Sequence, residues 1–405
     1  MFSPSRLAVI HASLPLVDAH ATEITVRFYE RLFAAHPELR NVFNMGNQAS
    51  GEQQKALAGA VYAYAKHDGD PDALAPLLRR IAHKHVSLGI APETYAVVGE
   101  HLLAAMGEVL PATLNAETAE AWRGVYWRFA DELIAREAAL YHDAGTTPRR
   151  FLREYQIIER VTESDVVASL RLRPTDGEPP PSFRPGQYVS IQVQLPEGGL
   201  RQLRQYSLSD AADGNTLRIT VKLEAGGAHG QSGLVSTHLM RHAHVGSRWR
   251  LSAPCGDMVL DTDVETPVVM VSAGVGVTPV MALRNHLVVR QPRRKGVFVH
   301  VAAHGGKHIL KRELMPADNV AHIVVYDAAR EEDRLGRDFQ VAGRFSLDDH
   351  AATIVVPDAD YYLCGPLPFI LAQRDALLRL CVPRERVHFE VFGPDLLTAG
   401  ATCLA

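Results

Sequence analysis

The chain has 405 residues, of which 47% are hydrophobic and 22% charged, and its formal net charge is -4. This length exceeds what one hydrophobic core usually supports, so two or three domains are expected. The slight negative charge provides no electrostatic footprint for nucleic acid. The four cysteines show no C-x-x-C spacing typical of a disulfide framework or a zinc site. We therefore expect a protein of a reducing compartment, the cytoplasm.

The N-terminus contains an apolar stretch from Leu7 to Val17, followed by Ala19-His20-Ala21, which is similar to a signal-peptide cleavage site. His11, Ser13 and Pro15 interrupt the stretch, and its pattern continues into a helix, so we do not expect a signal peptide. No run approaches about 18 uninterrupted apolar residues, and no membrane span is predicted.

The hydrophobic pattern changes twice along the chain, which predicts a multidomain protein with domains at 1–147, 148–262 and 263–405. The first domain is expected to be all-α, because apolar residues such as Leu57, Val61 and Tyr64 recur at helical spacing. The second has alternating segments typical of an antiparallel β-barrel. In the third, short apolar strands alternate with helical segments, which is typical of a parallel α/β sheet. The predicted strands are Tyr155–Arg173, Gln187–Leu195, Leu217–Leu223, Val268–Ser272, Val297–Ala302, His322–Tyr326 and Tyr361–Cys364.

His85 is the leading metal-ligand candidate of the helical region, on a predicted helix directly after Lys84. One histidine among 19 is more often a surface or satisfied core residue, so His85 alone is weak support for a metal site. Tyr29 and Gln53 lie on earlier helices, where they are able to face the opposite side of a flat cofactor. Phe43 follows Pro37 at the interval expected of a corner that wedges a porphyrin edge.

Several segments of this region together resemble the globin domain of bacterial flavohaemoglobins. They are Arg27-Phe28-Tyr29-Glu30-Arg31-Leu32-Phe33, Pro37-Glu38-Leu39, Val42-Phe43-Asn44-Met45, Val98-Gly99-Glu100-His101-Leu102-Leu103 and Arg136-Glu137-Ala138. The resemblance implies that His85 is the proximal ligand of a haem b and that Tyr29 supplies the distal hydroxyl. It also implies that Gln53 and Leu57 line the distal pocket, and that Phe43 and Lys84 contact the haem.

The resemblance further implies that Tyr95 and Glu137 stand behind His85. A carboxylate that accepts the far ring N–H of an iron-bound histidine makes the imidazole more anionic. Greater electron density on the iron favours activation of bound O₂ over its storage. The alternative is that Glu137 is an ordinary solvated residue on its helix.

The barrel region contains Arg204-Gln205-Tyr206-Ser207 and Gly233-Leu234-Val235-Ser236, which resemble the flavin domain of ferredoxin-reductase-like proteins. Arg204 supplies a forked cation for phosphate, Tyr206 can pack on the isoalloxazine, and the Ser207 hydroxyl can reach its N5 edge. Tyr188 adds a second aromatic, and Gly233, Val235 and Ser236 match a second phosphate-binding turn. The alternative for the two tyrosines is ordinary strand packing.

Three motifs of the third domain predict a nicotinamide site. Gly274-Val275-Gly276-Val277-Thr278-Pro279 follows an apolar strand and precedes a helix, the context that a phosphate-binding glycine turn requires. Cys364-Gly365-Pro366 and Glu390-Val391-Phe392-Gly393-Pro394 resemble strand-end motifs of the same reductases. In these, Cys364 faces the nicotinamide, Glu390 supplies a carboxylate near the flavin, and Phe392 covers the flavin ring. The alternative for Cys364 is a small buried hydrophobe.

The resemblance covers about residues 1–397 and implies a nitric oxide dioxygenase. NADH or NADPH would reduce FAD, FAD would pass single electrons to the haem iron, and NO would react with O₂ there to give nitrate. A redox-active gas sensor or O₂ carrier and a diaphorase are the alternatives. The sequence leaves open the choice of nucleotide, a hydroperoxide side activity and lipid binding in the distal pocket. It indicates no obligate protein partner.

Overall fold

The computed structural model describes residues 2–41, 52–111, 114–195, 199, 201–224 and 233–393, without the side chains of 52–56 and 58. It divides into two compact units, which are considered separately. The first is a helical unit built on the chain up to Leu152, with Gly393 and the described part of Gln194–Leu203. The second, Arg153–Val193 with Arg204–Phe392, contains the parallel sheet and most of the antiparallel sheet. The three predicted fold types are all present in the described residues. The exact boundaries at 147/148 and 262/263 stay predictions.

The helical unit is built from six α-helices of the described chain. They are α1 Pro4–Ala19, α2 Ala21–Ala35, α3 Glu52–Lys66, α4 Pro71–Leu88, α5 Glu93–Val109 and α6 Ala116–Asp143. They enclose one hydrophobic core, which includes Phe28, Leu32, Leu78, Trp122 and Phe129. This burial explains the helical spacing of apolar residues in the sequence.

Local sequence fixes both ends of α4, the helix that carries His85. Asp70 caps the first turn by accepting a hydrogen bond from the backbone N–H of Ala73 at 3.0 Å, and proline follows at the first helical position. Gly89 ends the helix with φ +73°, and a β-carbon there would lie 2.2 Å from the Phe151 ring. Only glycine satisfies both the left-handed backbone and this close approach.

The second unit begins with an antiparallel sheet. Its strands are β1 Leu152–Ser164, β2 Val167–Pro174, β3 Tyr188–Gln194, β4 Arg201–Ser207, β5 Leu217–Lys222 and β6 Arg248–Ser252. Their order is β4-β3-β6-β1-β2-β5, and a bridge between Leu208 and Ile219 joins the two edges. The sheet is thus closed as a barrel, and a helix, α7 Leu234–His242, follows β5.

A parallel sheet completes the second unit. Its elements are β7 Val268–Ala273, α8 Val277–Arg290, β8 Gly296–Ala302, β9 Val320–Tyr326, β10 Val341–Ala342, α9 Ala351–Ile354, β11 Asp360–Cys364, α10 Leu367–Arg379 and β12 Val387–Glu390. The strand order is β10-β9-β8-β7-β11-β12, so the direction of winding reverses between β7 and β11. Ligands of open α/β sheets bind outside the carboxyl ends of the strands at such a switch point.

Candidate functional site

His85, Tyr95 and Glu137 form one hydrogen-bonded cluster inside the helical unit, although they belong to α4, α5 and α6. The Nδ1 atom of His85 lies 2.8 Å from Glu137 Oε1 and 2.9 Å from the Tyr95 hydroxyl. The Tyr95 hydroxyl donates to the same Oε1 at 2.5 Å. Glu137 is therefore not a solvated residue: only 3% of its side chain is exposed, against 31% for His85.

This cluster determines which nitrogen of His85 is available. An ionised carboxylate only accepts hydrogen bonds, so both Nδ1 and the tyrosine hydroxyl donate to Glu137. The pKa of Tyr95 is raised, first by burial and then by the Glu137 charge, so the hydroxyl keeps its proton. With the proton of a neutral His85 on Nδ1, the Nε2 lone pair is free to bind a metal. No described residue hydrogen bonds to Nε2, so the donor set fits a single axial haem ligand.

The residues predicted for the opposite side of the haem are described only in part. Tyr29 is buried in the helical core, where its ring stacks on Phe33 with centroids 5.6 Å apart. Leu57 lines a small apolar cavity of about 30 Å³ together with Val61 and Met106. Gln53 lies on α3, but its side chain is outside the described residues, and so is Phe43 altogether. Lys84 lies on α4 beside His85.

The predicted flavin residues lie at the end of β4 and on neighbouring barrel strands. Burial lowers the pKa of the Arg204 guanidinium and raises the pKa of Tyr206. Gln205 lies between them, and Ser207 is buried at the end of the strand. A desolvated guanidinium beside an aromatic ring fits a cofactor that combines phosphate with a flat heterocycle.

Tyr188 is held beside this region by two close backbone approaches. It exchanges backbone hydrogen bonds with Cys255 at 2.7 and 2.8 Å. Gly186 precedes it with φ +102°, and a β-carbon there would lie 2.0 Å from the Met258 carbonyl oxygen. Tyr188 is therefore fixed in position by the backbone, but its ring is also buried against the barrel, which is compatible with a packing role.

Gly233 is the N-cap residue of α7, and no side chain caps this helix start. The first backbone N–H groups, including that of buried Val235, are therefore arranged to meet an anion. The Ser236 hydroxyl is used within the protein, because it donates to the Gly233 carbonyl at 3.0 Å and accepts from the Glu224 N–H at 3.1 Å. A phosphate at this turn would therefore compete with Gly233 and Glu224 for the Ser236 hydroxyl.

At the carboxyl edge of the parallel sheet, the Gly274–Gly276 turn connects β7 to α8. Gly274 has φ +54°, and a β-carbon on Gly276 would lie 2.3 Å from the Cys364 carbonyl oxygen. Val277 and Pro279 are buried at the start of α8, and the Thr278 hydroxyl donates to the Val275 carbonyl at 3.0 Å. Glycine is thus required where the turn of β7 meets the end of β11.

A cleft of about 350 Å³ opens at this switch point, between the barrel and the parallel sheet. Gly365 and Pro366 line it beside Gly274 and Gly276, and Phe392, which is 46% exposed, borders it. Cys364 and Glu390 end the adjacent strands β11 and β12 in register. Burial, and then the Glu390 charge, raise the pKa of the Cys364 thiol, so Cys364 is a neutral buried group. Gly393 has φ +145°, and Pro394 lies outside the described residues.

Five barrel residues and two loop residues that the sequence does not point to also line this cleft. They are Ser164, Val166, Val167, Lys222, Glu224, Lys307 and Ile309. Lys222 ends β5 and Glu224 lies two residues beyond it, so the alternation of Leu217–Leu223 is the one sequence signal near them. Lys307 follows β8 in a Gly-Gly loop, and the pattern of the chain does not indicate that this loop reaches the barrel.

An imidazole held by a buried carboxylate, a flavin-type barrel and a nucleotide-type parallel sheet define a multidomain redox protein. Comparison with known families agrees: residues 26–133 match the globin family, 154–260 an oxidoreductase FAD-binding domain and 270–375 an oxidoreductase NAD-binding domain. The flavohemoprotein of Chromobacterium violaceum is 44% identical over 399 residues, which cover 97% of this chain and 98% of that protein. The flavohemoprotein of Rhizobium meliloti is 43% identical over 98% of this chain and 99% of its own length. The chain belongs to the flavohemoprotein family.

Solved structures support the same assignment. The flavohemoglobin of Malassezia yamatoensis, which has FAD and haem bound, matches with a TM-score of 0.85 at 28% identity, over 96% of this chain and 99% of that one. The FAD/NAD-binding domain of a nitric oxide dioxygenase from Vibrio cholerae is 36% identical, with a TM-score of 0.53, over 60% of this chain and 99% of that one. The resemblance inferred from the sequence is thus confirmed, as are haem, FAD and NAD(P)H as the cofactors of an oxidoreductase. None of the helices in the described part of the chain has the length and apolarity needed to cross a membrane.

Proposed function

We propose that this flavohemoprotein is a cytoplasmic nitric oxide dioxygenase that uses electrons from NAD(P)H. The balanced reaction consumes two NO, two O₂ and one NAD(P)H, and it forms two nitrate ions, NAD(P)⁺ and one proton. When bound, FAD splits the hydride pair into single electrons and haem iron provides the centre where O₂ and NO react. The observation that carries the proposal is the buried Glu137 behind His85.

The reason is electrostatic. A gas carrier needs a neutral axial imidazole, whereas an enzyme that activates O₂ benefits from electron donation by that ligand. Glu137 accepts a hydrogen bond from the Nδ1–H group of His85, and its own side chain is only 3% exposed, so its negative charge acts on the imidazole with little screening. This arrangement favours chemistry over storage.

On the other side of the haem, Tyr29 is the proposed distal donor. Its hydroxyl would donate a hydrogen bond to an oxygen of the substrate on which negative charge develops. Leu57, which lines an apolar cavity with Val61 and Met106, is proposed to belong to the same distal pocket. The sequence leaves lipid binding and a hydroperoxide side activity at the same pocket open, and no contact of the described residues tests them.

In the second unit, Arg204, Tyr206, Ser207 and the start of α7 are proposed to bind FAD. The cleft between Gly274, Gly365 and Phe392 is proposed to receive the nicotinamide nucleotide. Because Phe392 is exposed at the cleft border, its ring is able to move aside without disturbing a packed core. The V. cholerae protein, which matches this unit, is called a nitric oxide dioxygenase, and that name supports the same activity here.

The test is a turnover measurement on purified holoprotein with NO, air and NADH or NADPH. We expect NO-dependent oxidation of the nucleotide, with nitrate formed in a ratio of two per nucleotide. Nucleotide oxidation that is unchanged by NO and forms no nitrate would indicate a diaphorase. Reversible O₂ binding without NO-dependent turnover would indicate a carrier or a sensor.

A further inference from the structure

Each of the two domains that line the cleft contributes a cation. Lys222, at the end of β5 of the barrel, has its ammonium 3.4 Å from the Glu224 carboxylate, and both residues line the cleft. Lys307 also lines the cleft, from the loop after β8 of the parallel sheet. Among the described lining residues, Lys307 is therefore the cation without an acidic neighbour inside the cleft.

The loop that carries Lys307 is held firmly by its neighbours. The Lys307 N–H donates to the His304 carbonyl at 2.9 Å, and the Asp333 carboxylate accepts from the Gly305 N–H at 3.2 Å. The next residue, His308, is buried and its Nδ1 lies 3.0 Å from the Tyr326 hydroxyl. A lysine on such a backbone loses less conformational freedom when its ammonium binds a ligand.

The position of Lys307 along the cleft indicates which part of a nucleotide it meets. The lining residues follow the carboxyl ends of β12, β11, β7 and β8 in that spatial order. Neighbouring strands are about 4.8 Å apart, so β8 and β12, which Lys307 and Phe392 follow, are separated by roughly 14 Å. With the nicotinamide beside Phe392, the ribose and then the pyrophosphate would extend toward the Gly274–Gly276 turn and Lys307.

Lys307 has an acidic partner that does not line the cleft. Its ammonium lies 2.8 Å from the carboxylate of Asp165, which is in the two-residue turn between β1 and β2 and is 69% exposed. A lysine ammonium has three donors, so this contact leaves two for another anion. The negative charge of Asp165 nevertheless weakens the attraction of Lys307 for that anion.

We propose that Lys307 binds the pyrophosphate of the pyridine dinucleotide and that Asp165 is an internal anion that competes for it. The proposal rests on the proposed oxidation of NAD(P)H at this cleft. Lys307 is thus a nucleotide-binding residue, and the Asp165 carboxylate lowers nucleotide affinity and speeds release of the oxidised product.

A purely structural role for this ion pair makes a different prediction. Lys307 belongs to the parallel-sheet domain and Asp165 to the barrel, so the pair also links the two domains of the unit. If linkage were its whole role, removal of either charge would loosen the cleft and weaken nucleotide binding. In the proposed role, removal of the lysine weakens binding, whereas removal of the aspartate strengthens it.

The experiment is calorimetric titration of the oxidised holoprotein with ADP-ribose, which carries the pyrophosphate but no reactive ring. For Lys307→Met we expect the dissociation constant of ADP-ribose to rise about three- to tenfold. This loss is larger than that of an exposed ion pair and smaller than that of a buried hydrogen bond to a charged group. For Asp165→Asn we expect it to fall about two- to fourfold. Lys307→Arg, which keeps the charge, should stay close to wild type.

Lys311→Met is the matched control, because Lys311 follows in the same loop region but pairs with Asp338 at 2.9 Å and does not line the cleft. Its ADP-ribose affinity should equal that of the wild type. Weaker binding in both Lys307→Met and Asp165→Asn would overturn the proposal in favour of a structural link. Titration with 2′-phospho-ADP-ribose decides which phosphate Lys307 binds. If Lys307→Met loses the same affinity for both ligands, the pyrophosphate assignment is supported. If the loss of affinity is confined to 2′-phospho-ADP-ribose, that assignment is overturned. These titrations need neither NO nor O₂, so a failed turnover test leaves their outcome interpretable.

Discussion

Replacement of Glu137 by glutamine removes one charge and keeps the shape of the side chain. In the wild type, a single oxygen of Glu137 accepts from both His85 Nδ1 and the Tyr95 hydroxyl. The amide oxygen of glutamine is still able to accept these hydrogen bonds, so we expect the fold and both cofactors to be retained. What is lost is the negative charge behind the axial imidazole, and the haem reduction potential should therefore rise.

The size of this rise follows from the burial of the cluster. Hydrogen bonds to charged groups contribute about 1.5–3 kcal/mol, and the 3% exposure of the Glu137 side chain limits screening by solvent. We take about 1–2 kcal/mol of this energy to differ between the two oxidation states of the iron. For one electron, about 59 mV corresponds to a tenfold change in the equilibrium constant, so the haem potential should rise by on the order of 40–90 mV.

Two measurements on Glu137→Gln test this prediction. Spectroelectrochemical titration gives the haem reduction potential, and the half-reaction with NADH gives the rate of flavin reduction. The flavin half-reaction should not change, because its residues belong to the other unit. Glu132→Gln is the matched control: Glu132 is on the same helix and accepts from the Tyr64 hydroxyl at 2.6 Å, but no histidine among the described residues is hydrogen bonded to it. Equal haem potentials in wild type and Glu137→Gln would refute the electrostatic reasoning, and an equal shift in the control would show a general effect of helix charge.

Three further predictions concern other parts of the molecule. Tyr29→Phe should keep both cofactors and speed O₂ dissociation by about one to two decades, the equivalent of 1.5–3 kcal/mol; an unchanged rate in flash photolysis would count against a distal role. Gly276→Ala should slow flavin reduction by NADH in stopped-flow measurements, because the added carbon would lie 2.3 Å from the Cys364 carbonyl oxygen; normal reduction would mean that the turn can shift. Burial lowers the pKa of His308 from 6.5 to about 4, so the unfolded chain takes up a proton first and stability should fall by up to about 3 kcal/mol as pH drops from 6.5 to 4. Denaturation of His308→Gln should show a smaller pH slope than the wild type, whereas exposed His244→Gln should keep it.

The fold was largely predictable because the apolar residues that recur at helix or strand spacing in the sequence are the residues that the helices and strands bury. The strands predicted at Val268–Ser272 and Val297–Ala302 are seen as β7 and β8, and both are almost wholly buried, as their unbroken apolar composition indicates. The predicted strand Tyr155–Arg173 is instead two strands, joined by a turn at Asp165. Its alternation continues through the hairpin, so the pattern alone does not reveal the reversal.

The candidate sites were less accessible to sequence reasoning, because their members are far apart along the chain. His85 and Glu137 are 52 residues apart, and only the family resemblance connected them. Asp165 and Lys307 are 142 residues apart, on two domains, and no period or motif relates them. The glycines were easier to recognise, since a turn after an apolar strand has a local sequence signal that does not depend on distant residues.

The two charged clusters have opposite designs, and this difference follows from their tasks. Glu137 is buried and bound on one oxygen by two donors, so its charge is fixed and acts continuously on His85. Lys307 and Asp165 are 41% and 69% exposed, and water screens and competes for their contact. A permanent field would suit the proposed role of His85 as iron ligand, because its electron donation is needed in every turnover. A weak, exchangeable ion pair would suit the proposed nucleotide site, since a tighter contact would slow product release.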